Sequence, residues 1–346
     1  TSHLQPREQQ VATGRCAPDD GRKEDKQTSS QSQPQTGRPT VESLLPEPKN
    51  KHANASTANE WDLLSPDELR VLRRAREWLG SELFSQAPLD LLVTFARGYA
   101  YCNDWAEAST AHLEHALKWR AEMNANTVVA SGLPNRELFE KMCQNGPIGH
   151  DSHGHLVILE RLGRVNVGQL LQAFDEESYI RHQLFSREAV RMINTAKSLR
   201  TGKRVYKVVV VIDLDGLSMS HLSKRFVNLM KRVNDQFAEH YPETAFKFYV
   251  INAPLVFRTA WAIAKQWMHP ITVRKFSIMG SDYRRKFDDA GIVLLEDDIP
   301  KTVKGWAEEV QNVIDEFGVS RLSRGYMPEK DLTEVSSVVG VDLHEQ

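Results

Sequence analysis

The sequence predicts an α/β protein: an N-terminal helical unit followed by an α/β lobe built on a mainly parallel sheet. The spacing of apolar residues carries that reading. Residues 61–125 show helical spacing only. From residue 156 onward, short apolar strands alternate with helix-length segments, which implies crossover connections between parallel strands. Residues 205–212 (VYKVVVVI) are almost wholly apolar and β-branched, the composition of a strand covered on both faces.

Residues 1–58 are rich in Gln, Ser, Thr, Pro, Lys and Asp, with few aliphatics and no aromatics. Such a segment cannot bury enough apolar surface to offset the entropy of ordering, so it is expected to be disordered. Order is expected to begin near Trp61. Ser65, Pro66 and Glu68 form a capping box with proline at the first helical position. A second helix follows Pro88 and carries Leu89, Leu92, Val93 and Phe95. A third opens near Asp104 and takes Trp105, Leu113, Leu117 and Trp119 to the core. The expected organisation is a helical unit over 59–127, a lobe over 128–325 and a C-terminal tail over 326–346. Within the lobe, strands are expected at 156–159, 205–212, 246–251, 276–279 and 292–295. Helices are expected within 168–199 and over 222–237, where Leu222, Phe226, Leu229, Met230, Val233 and Phe237 share one side.

The chain has 346 residues, 40% hydrophobic, with 44 Lys and Arg against 46 Asp and Glu, a net charge of −2. That is enough for one or two domains with a core and gives no nucleic-acid footprint. Cys16, Cys102 and Cys143 are far apart and odd in number. They suggest neither a disulfide framework nor a zinc ribbon, which fits a reducing, cytoplasmic compartment. No apolar run approaches the roughly 18 residues of a membrane span, and no charged-then-apolar leader is visible.

Several motifs suggest chemistry. VVVVIDLDGLS at 208–218 ends an apolar strand in D-x-D-G, which resembles the first motif of haloacid-dehalogenase-type phosphatases. In that alternative Asp213 is the nucleophile, Asp215 an acid/base, and Mg²⁺ shares the site; Lys275, Asp282 and the pair Asp297 and Asp298 are partial echoes of the remaining motifs. His150, His153 and His155 in GHDSHGHLVILE have the proximity of metal ligands, but Asp-Ser-His-Gly equally suits a hairpin turn entering a strand. His112 and His115, on a helix, read as surface or packing residues.

Five segments, in order and spaced over about residues 61–310, resemble the CRAL-TRIO lipid-binding family, in particular its phosphatidylinositol/phosphatidylcholine transfer-protein type. They are GHDSHGHLVILERLGRV, IDLDGLSMS, HYPETAFKFYVINAP, a helix with Phe257 and Trp261, and HPITVRKFSIMG. The resemblance turns the Asp213–Gly216 motif into a strand end. It implies a sheet flooring an apolar cavity, closed by a gate helix over about 254–268. Phe257, Trp261, Ala264 and Met268 fall on one stripe of that helix, and only a few of its positions are clearly polar. The resemblance further implies that Glu243, Thr272 and Lys275 hold an inositol phosphate, and that Ser218 and Ser220 contact the phosphate of a choline lipid. It implies a phospholipid ligand, transient docking on a membrane surface, no cofactor, no metal and no covalent change to the ligand. Basic clusters at Lys224, Arg225, Lys231 and Arg232, and at Arg284, Arg285 and Lys286, could meet anionic head groups. A sensor for a compact apolar ligand such as a retinoid or tocopherol is the other reading within the binding class. A protein partner of the N-terminal segment is left unassigned.

Overall fold

A computed structural model describes residues 59–344 apart from 256 and 297; the segment expected to be disordered lies outside the described residues. The helical unit contains α1 (Pro66–Ser85), α2 (Leu89–Gly98) and α3 (Trp105–Glu122). The capping box forms as the sequence requires: Glu68 N donates to Ser65 Oγ (3.2 Å) and Ser65 N to Glu68 Oε2 (2.7 Å). Helix α2 is the hub, with Leu91, Leu92, Val93 and Phe95 all buried against Val71, Leu72, Trp105 and Leu113.

The lobe begins with α4 (Val128–Ser131) and α5 (Arg136–Met142). It continues through β1 (Asn145–His150), β2 (Leu156–Glu160), α6 (Val167–Ala173), α7 (Glu176–Thr201) and β3 (Val208–Asp213). Next come α8 (Lys224–His240), β4 (Ala245–Ile251), α9 (Phe257–Ala264), α10 (Pro270–Arg274), β5 (Phe276–Ile278), α11 (Tyr283–Asp289) and β6 (Val293–Leu294). The chain closes with α12 (Ala307–Phe317), α13 (Val319–Arg324) and α14 (Glu329–Val339). The sheet order is β5-β4-β3-β2-β1-β6. Strands β2 to β5 pair in parallel, and β1 pairs antiparallel with both β2 and β6. The central sheet is therefore the parallel α/β sheet that the β-branched run predicts.

Because side chains alternate along a strand, β3 feeds two cores. Val208 and Val210 join Ala189, Ile193, Phe237, Trp306 and Val313 on the face covered by α7, α8 and α12. Val209 and Val211 join Val157, Leu159, Ile251, Met279 and Phe287 on the other.

Two features depart from the sequence-based expectation. Strand β1 was not foreseen, because NGPIGH carries two glycines and a proline. Gly149 is required there: a Cβ on it would lie 2.0 Å from Val293 O of β6. Residues 326–346 are also more than a tail. Helix α14 packs on α1, and Val335, Val339 and Leu343 complete the core of the helical unit. Asp331 of α14 is buried and accepts from Leu64 N (2.9 Å) and Arg204 Nη1 (2.5 Å), tying that unit to the lobe. Cys143 is a free buried thiol.

Candidate functional site

Parallel strands begin at one edge of a sheet, so the residues just before β3, β4 and β5 converge. Lys207 precedes β3, Glu243 lies two residues before β4, and Lys275 precedes β5. Glu243 sits between the two lysines: Lys207 Nζ is 3.1 Å from its Oε1 and Lys275 Nζ 3.3 Å from its Oε2. Its backbone has φ of 59°, a left-handed conformation that non-glycine residues seldom adopt. The Glu243 side chain is only 9% exposed. Lys275 Nζ also donates to Ala245 O (2.8 Å). Burial, with help from Lys207, pushes the Lys275 pKa down, against the opposing pull of Glu243. At Lys207 burial also disfavours the charged form, but Tyr206 and Glu243 outweigh it and the pKa rises. Thr272 belongs to the turn that delivers Lys275, whose N donates to Thr272 O (3.0 Å). Glu60 also faces this edge, its carboxylate accepting from the backbone N of Tyr206 (2.9 Å) and Lys207 (2.5 Å), so two carboxylates stand beside the two ammonium groups. Lys207 was missed by sequence reasoning; a lysine interrupting an apolar strand entry is the signal that could have found it.

Ser218 and Ser220 lie past the opposite, C-terminal end of β3. Their hydroxyls are 2.9 Å apart and both residues are exposed. The ring of buried His221 accepts from Ser218 N (3.1 Å) and reaches Leu162 O at 3.1 Å, fixing the turn. Six residues of strand, at about 3.3 Å each, separate the two ends by roughly 20 Å. The structure thus gathers Glu243, Lys275 and the Thr272 turn, and sets the two serines apart.

At that same end, buried Asp213 accepts from Asp215 N (3.0 Å) and Asn252 Nδ2 (2.9 Å). Asp215 is exposed and takes Arg164 at 2.8 Å. The two carboxylates of the D-x-D motif serve separate partners: one locks the ends of β3 and β4, the other faces solvent.

Helix α9 lies over the sheet edge. The Trp261 ring is 4.8 Å from Phe276, which stacks on Phe248 at 4.3 Å, and Phe257 is 6.2 Å from Trp261. Phe257, Trp261, Ala264 and Met268 are all half-buried, while Ile263 and Leu255 are 40% and 79% exposed. The helix proper stops at Ala264 and passes into a 3₁₀ turn at Lys265–Trp267. That turn is anchored: Asn234 Nδ2 of α8 donates to Trp267 O (3.4 Å), and His269 stacks on Tyr101 of the helical unit at 4.3 Å. Ile212, Val233 and Phe248, packed against the core that Val208 and Val210 feed, are only partly buried. A pocket of about 140 Å³ opens beside Asp151, Phe246 and Tyr249, and one of about 430 Å³ beside Glu176, Ile180, Lys231 and Arg232. Neither is lined by α9.

The histidine-rich loop is the β1–β2 turn. Gly154 N donates to Asp151 O (2.9 Å), and Asp151 Oδ1 accepts from His153 N and His155 N (3.0 and 2.8 Å). Buried His155 places Nδ1 2.7 Å from Asp151 Oδ2 and Nε2 3.1 Å from Glu60 Oε1. Burial opposes charge on this ring, but hydrogen bonds to Asp151 and Glu60 outweigh it and raise its pKa to about 9. His150 is exposed.

Residues 141–302 match the CRAL/TRIO domain family, and the chain carries a CRAL/TRIO domain. It is 30% identical to the SEC14 cytosolic factor of Kluyveromyces lactis over 204 residues, 58% of this chain and 66% of that one. It is 29% identical to Protein real-time of Anopheles gambiae over 218 residues, 63% of this chain and 31% of the relative. It is 27% identical to the phosphatidylinositol/phosphatidylcholine transfer protein SFH12 of Arabidopsis thaliana over 192 residues, 55% of this chain and 35% of the relative. The chain thus spans just under two thirds of the first of these and about a third of the others. The fold is shared with the crystal structure of Sfh5, with a TM-score of 0.54 at 18% identity, covering 71% of this chain and 90% of that one. Among the described residues, no helix is long and apolar enough to cross a membrane.

Proposed function

We propose that this chain binds one phospholipid, phosphatidylinositol in exchange with phosphatidylcholine, and passes it between membranes through movement of α9, without chemical change to the lipid. The observation that carries the reading is α9 itself. Its apolar residues occupy both the half-buried side, at Phe257 and Trp261, and the exposed side, at Ile263 and the preceding Leu255. A helix serving only the core has no use for the exposed set. Swinging outward, it would meet a bilayer with one side and uncover the half-buried Ile212 and Phe248 with the other.

The energetics require such a device. Each methylene in water costs about 0.8 kcal/mol, so two chains of about 15 carbons come to roughly 20 kcal/mol. A guest must therefore move from bilayer to protein without crossing water. Acyl chains would, in this reading, take the space that Trp261 occupies against Phe276. In this reading Lys207 and Lys275 attract a lipid phosphate, and Glu243 accepts from inositol hydroxyls. Ser218 and Ser220, at the other end of β3, would serve a choline lipid. Docking would be peripheral and on the cytoplasmic side.

The test is to purify the chain from cells, extract it with organic solvent and measure lipid, then follow labelled phosphatidylinositol and phosphatidylcholine between vesicles. Stoichiometric lipid with transfer supports the reading. Absence of both removes it. Release of a retinoid or tocopherol, with no head-group selectivity, would favour the sensor.

A further inference from the structure

The C-terminal end of α8 meets one face of α3 at a cluster that lipid binding leaves unexplained. His112 and His115 stand three residues apart on α3, where side chains share a face. Glu239 and His240 come from the last turn of α8. Glu239 Oε1 lies 2.9 Å from His115 Nδ1 and 3.8 Å from His112 Nδ1. One ligand atom from each of His115, Glu239 and His240 falls within 4.8 Å of the other two. His240 is 1% exposed and its Nδ1 has no hydrogen-bond partner. Aromatic walls hold the rings: Trp119 stacks on His240 at 4.2 Å and Tyr99 on His112 at 4.3 Å.

One carboxylate cannot pair three imidazoles, and a buried ring nitrogen left unpaired is costly. Packing alone gives no reason to gather them. We propose that His112, His115, Glu239 and His240 bind a zinc ion that fastens the helical unit to the lobe. Three imidazole nitrogens and one carboxylate oxygen match the donors and the fourfold coordination of structural zinc, with bonds of about 2.0–2.2 Å. Imidazole-rich sets also exclude the hard, oxygen-seeking magnesium and calcium ions. Donor atoms around such an ion lie roughly 3.3 Å apart, so His115, Glu239 and His240 must close by up to about 1.5 Å and His112 must turn in to join them. Rotation of His115, whose side chain is half exposed, can supply much of that closure.

The other histidine cluster makes a useful contrast. At Asp151, His153 and His155, both nitrogens of His155 already face the carboxylates of Asp151 and Glu60. That ring has no nitrogen to spare, whereas His240 has one.

The test uses the full chain, stripped with a chelator and titrated with Zn²⁺ alone. Bound metal is counted by mass spectrometry and affinity measured by calorimetry. Wild type should take up one zinc per chain and melt at a higher temperature when loaded. His115→Ala and Glu239→Gln should each weaken binding at least about tenfold. Both positions are solvent-accessible, so both variants should melt like the stripped wild type without zinc. His153→Ala should bind as wild type does. Failure of wild type to bind stoichiometrically would overturn the proposal. Undiminished binding in His115→Ala, or loss in His153→Ala, would move the ion elsewhere and overturn it equally.

Discussion

Lys275, at the start of β5, holds its ammonium 3.3 Å from the Glu243 carboxylate at the start of β4. Neither side chain is well exposed, and Lys207 approaches the same carboxylate from the other side. The pair is brought together by parallel topology, across 32 residues of sequence. The proposed head-group role requires Lys275 to suit a lipid phosphate.

Lys275→Ala tests that suitability. If the lysine attracts the inositol lipid's phosphate, phosphatidylinositol transfer should fall about tenfold, the worth of one charge-assisted hydrogen bond. Phosphatidylcholine transfer should hold, because Ser218 and Ser220 lie at the far end of β3. Both activities are read in the same vesicle assay. Equal loss of the two would show that Lys275 supports the fold and not a head group.

Ile263→Glu separates the two sides of α9. Ile263 is 40% exposed, so its replacement should change stability by no more than about 0.5 kcal/mol. If that exposed side meets a bilayer, a carboxylate there should nevertheless slow lipid transfer severalfold, most of all with anionic vesicles. Trp261→Ala acts on the opposite side. It removes the contact with Phe276 and should lower the melting temperature, since aromatic pairs contribute about 0.5–1.5 kcal/mol beyond area. Unchanged transfer in Ile263→Glu would remove the membrane role of this helix.

Much of this architecture is legible in the sequence, and the gaps have physical causes. The valine run of β3 announces a doubly covered strand because burial on both faces leaves no polar alternation. The box at Ser65 announces α1 because its two hydrogen bonds are local. Strand β1 is hidden because its two glycines and proline mask the strand pattern, although it pairs with its sequence neighbour β2. Helix α14 could have been found: Leu332, Val335 and Val339 fall at spacings of three and four. Its role in the helical unit could not, since its partners lie more than 250 residues earlier. Lys207 is visible as a lysine at an apolar strand entry, but its partners are not. Its meaning depends on which strand starts stand side by side.

His155 makes stability depend on pH. Its folded pKa, raised to about 9, exceeds the ordinary histidine value of about 6.5. The folded chain therefore holds this proton more tightly than the unfolded chain does. The contribution is complete below about pH 6.5 and is lost as pH climbs through about 9. At 1.36 kcal/mol per pKa unit it amounts to at most about 3 kcal/mol. Urea unfolding at pH 6.5 and pH 9.5 should show the wild type weakening. His155→Gln should begin weaker at pH 6.5 and lose this alkaline decline. A decline of equal size in the variant would place the titration elsewhere.

Asp331 ties the end of the chain to both structural units. Its buried carboxylate takes the Leu64 amide before α1 and the Arg204 guanidinium before β3. Burial and the nearby Arg97 act to lower the pKa of Arg204, against the counter-charge of Asp331. Asp331→Ala strands that guanidinium and an amide together, and breaking a buried ion pair from one side costs about 3–5 kcal/mol. Asp331→Asn keeps an acceptor for Leu64 and loses only the charge, so it should fall between alanine and wild type. The guanidinium also donates to the backbone oxygens of Glu60 and Asp62, so the damage should spread along the strap that leads into α1. Hydrogen exchange should then show faster opening at residues 59–64 and in α14, with β3 and β4 little changed. If Asp331→Ala stayed within about 1 kcal/mol of wild type, residues 326–346 would be a peripheral addition after all, and α1 would have to hold its place on the lobe without them.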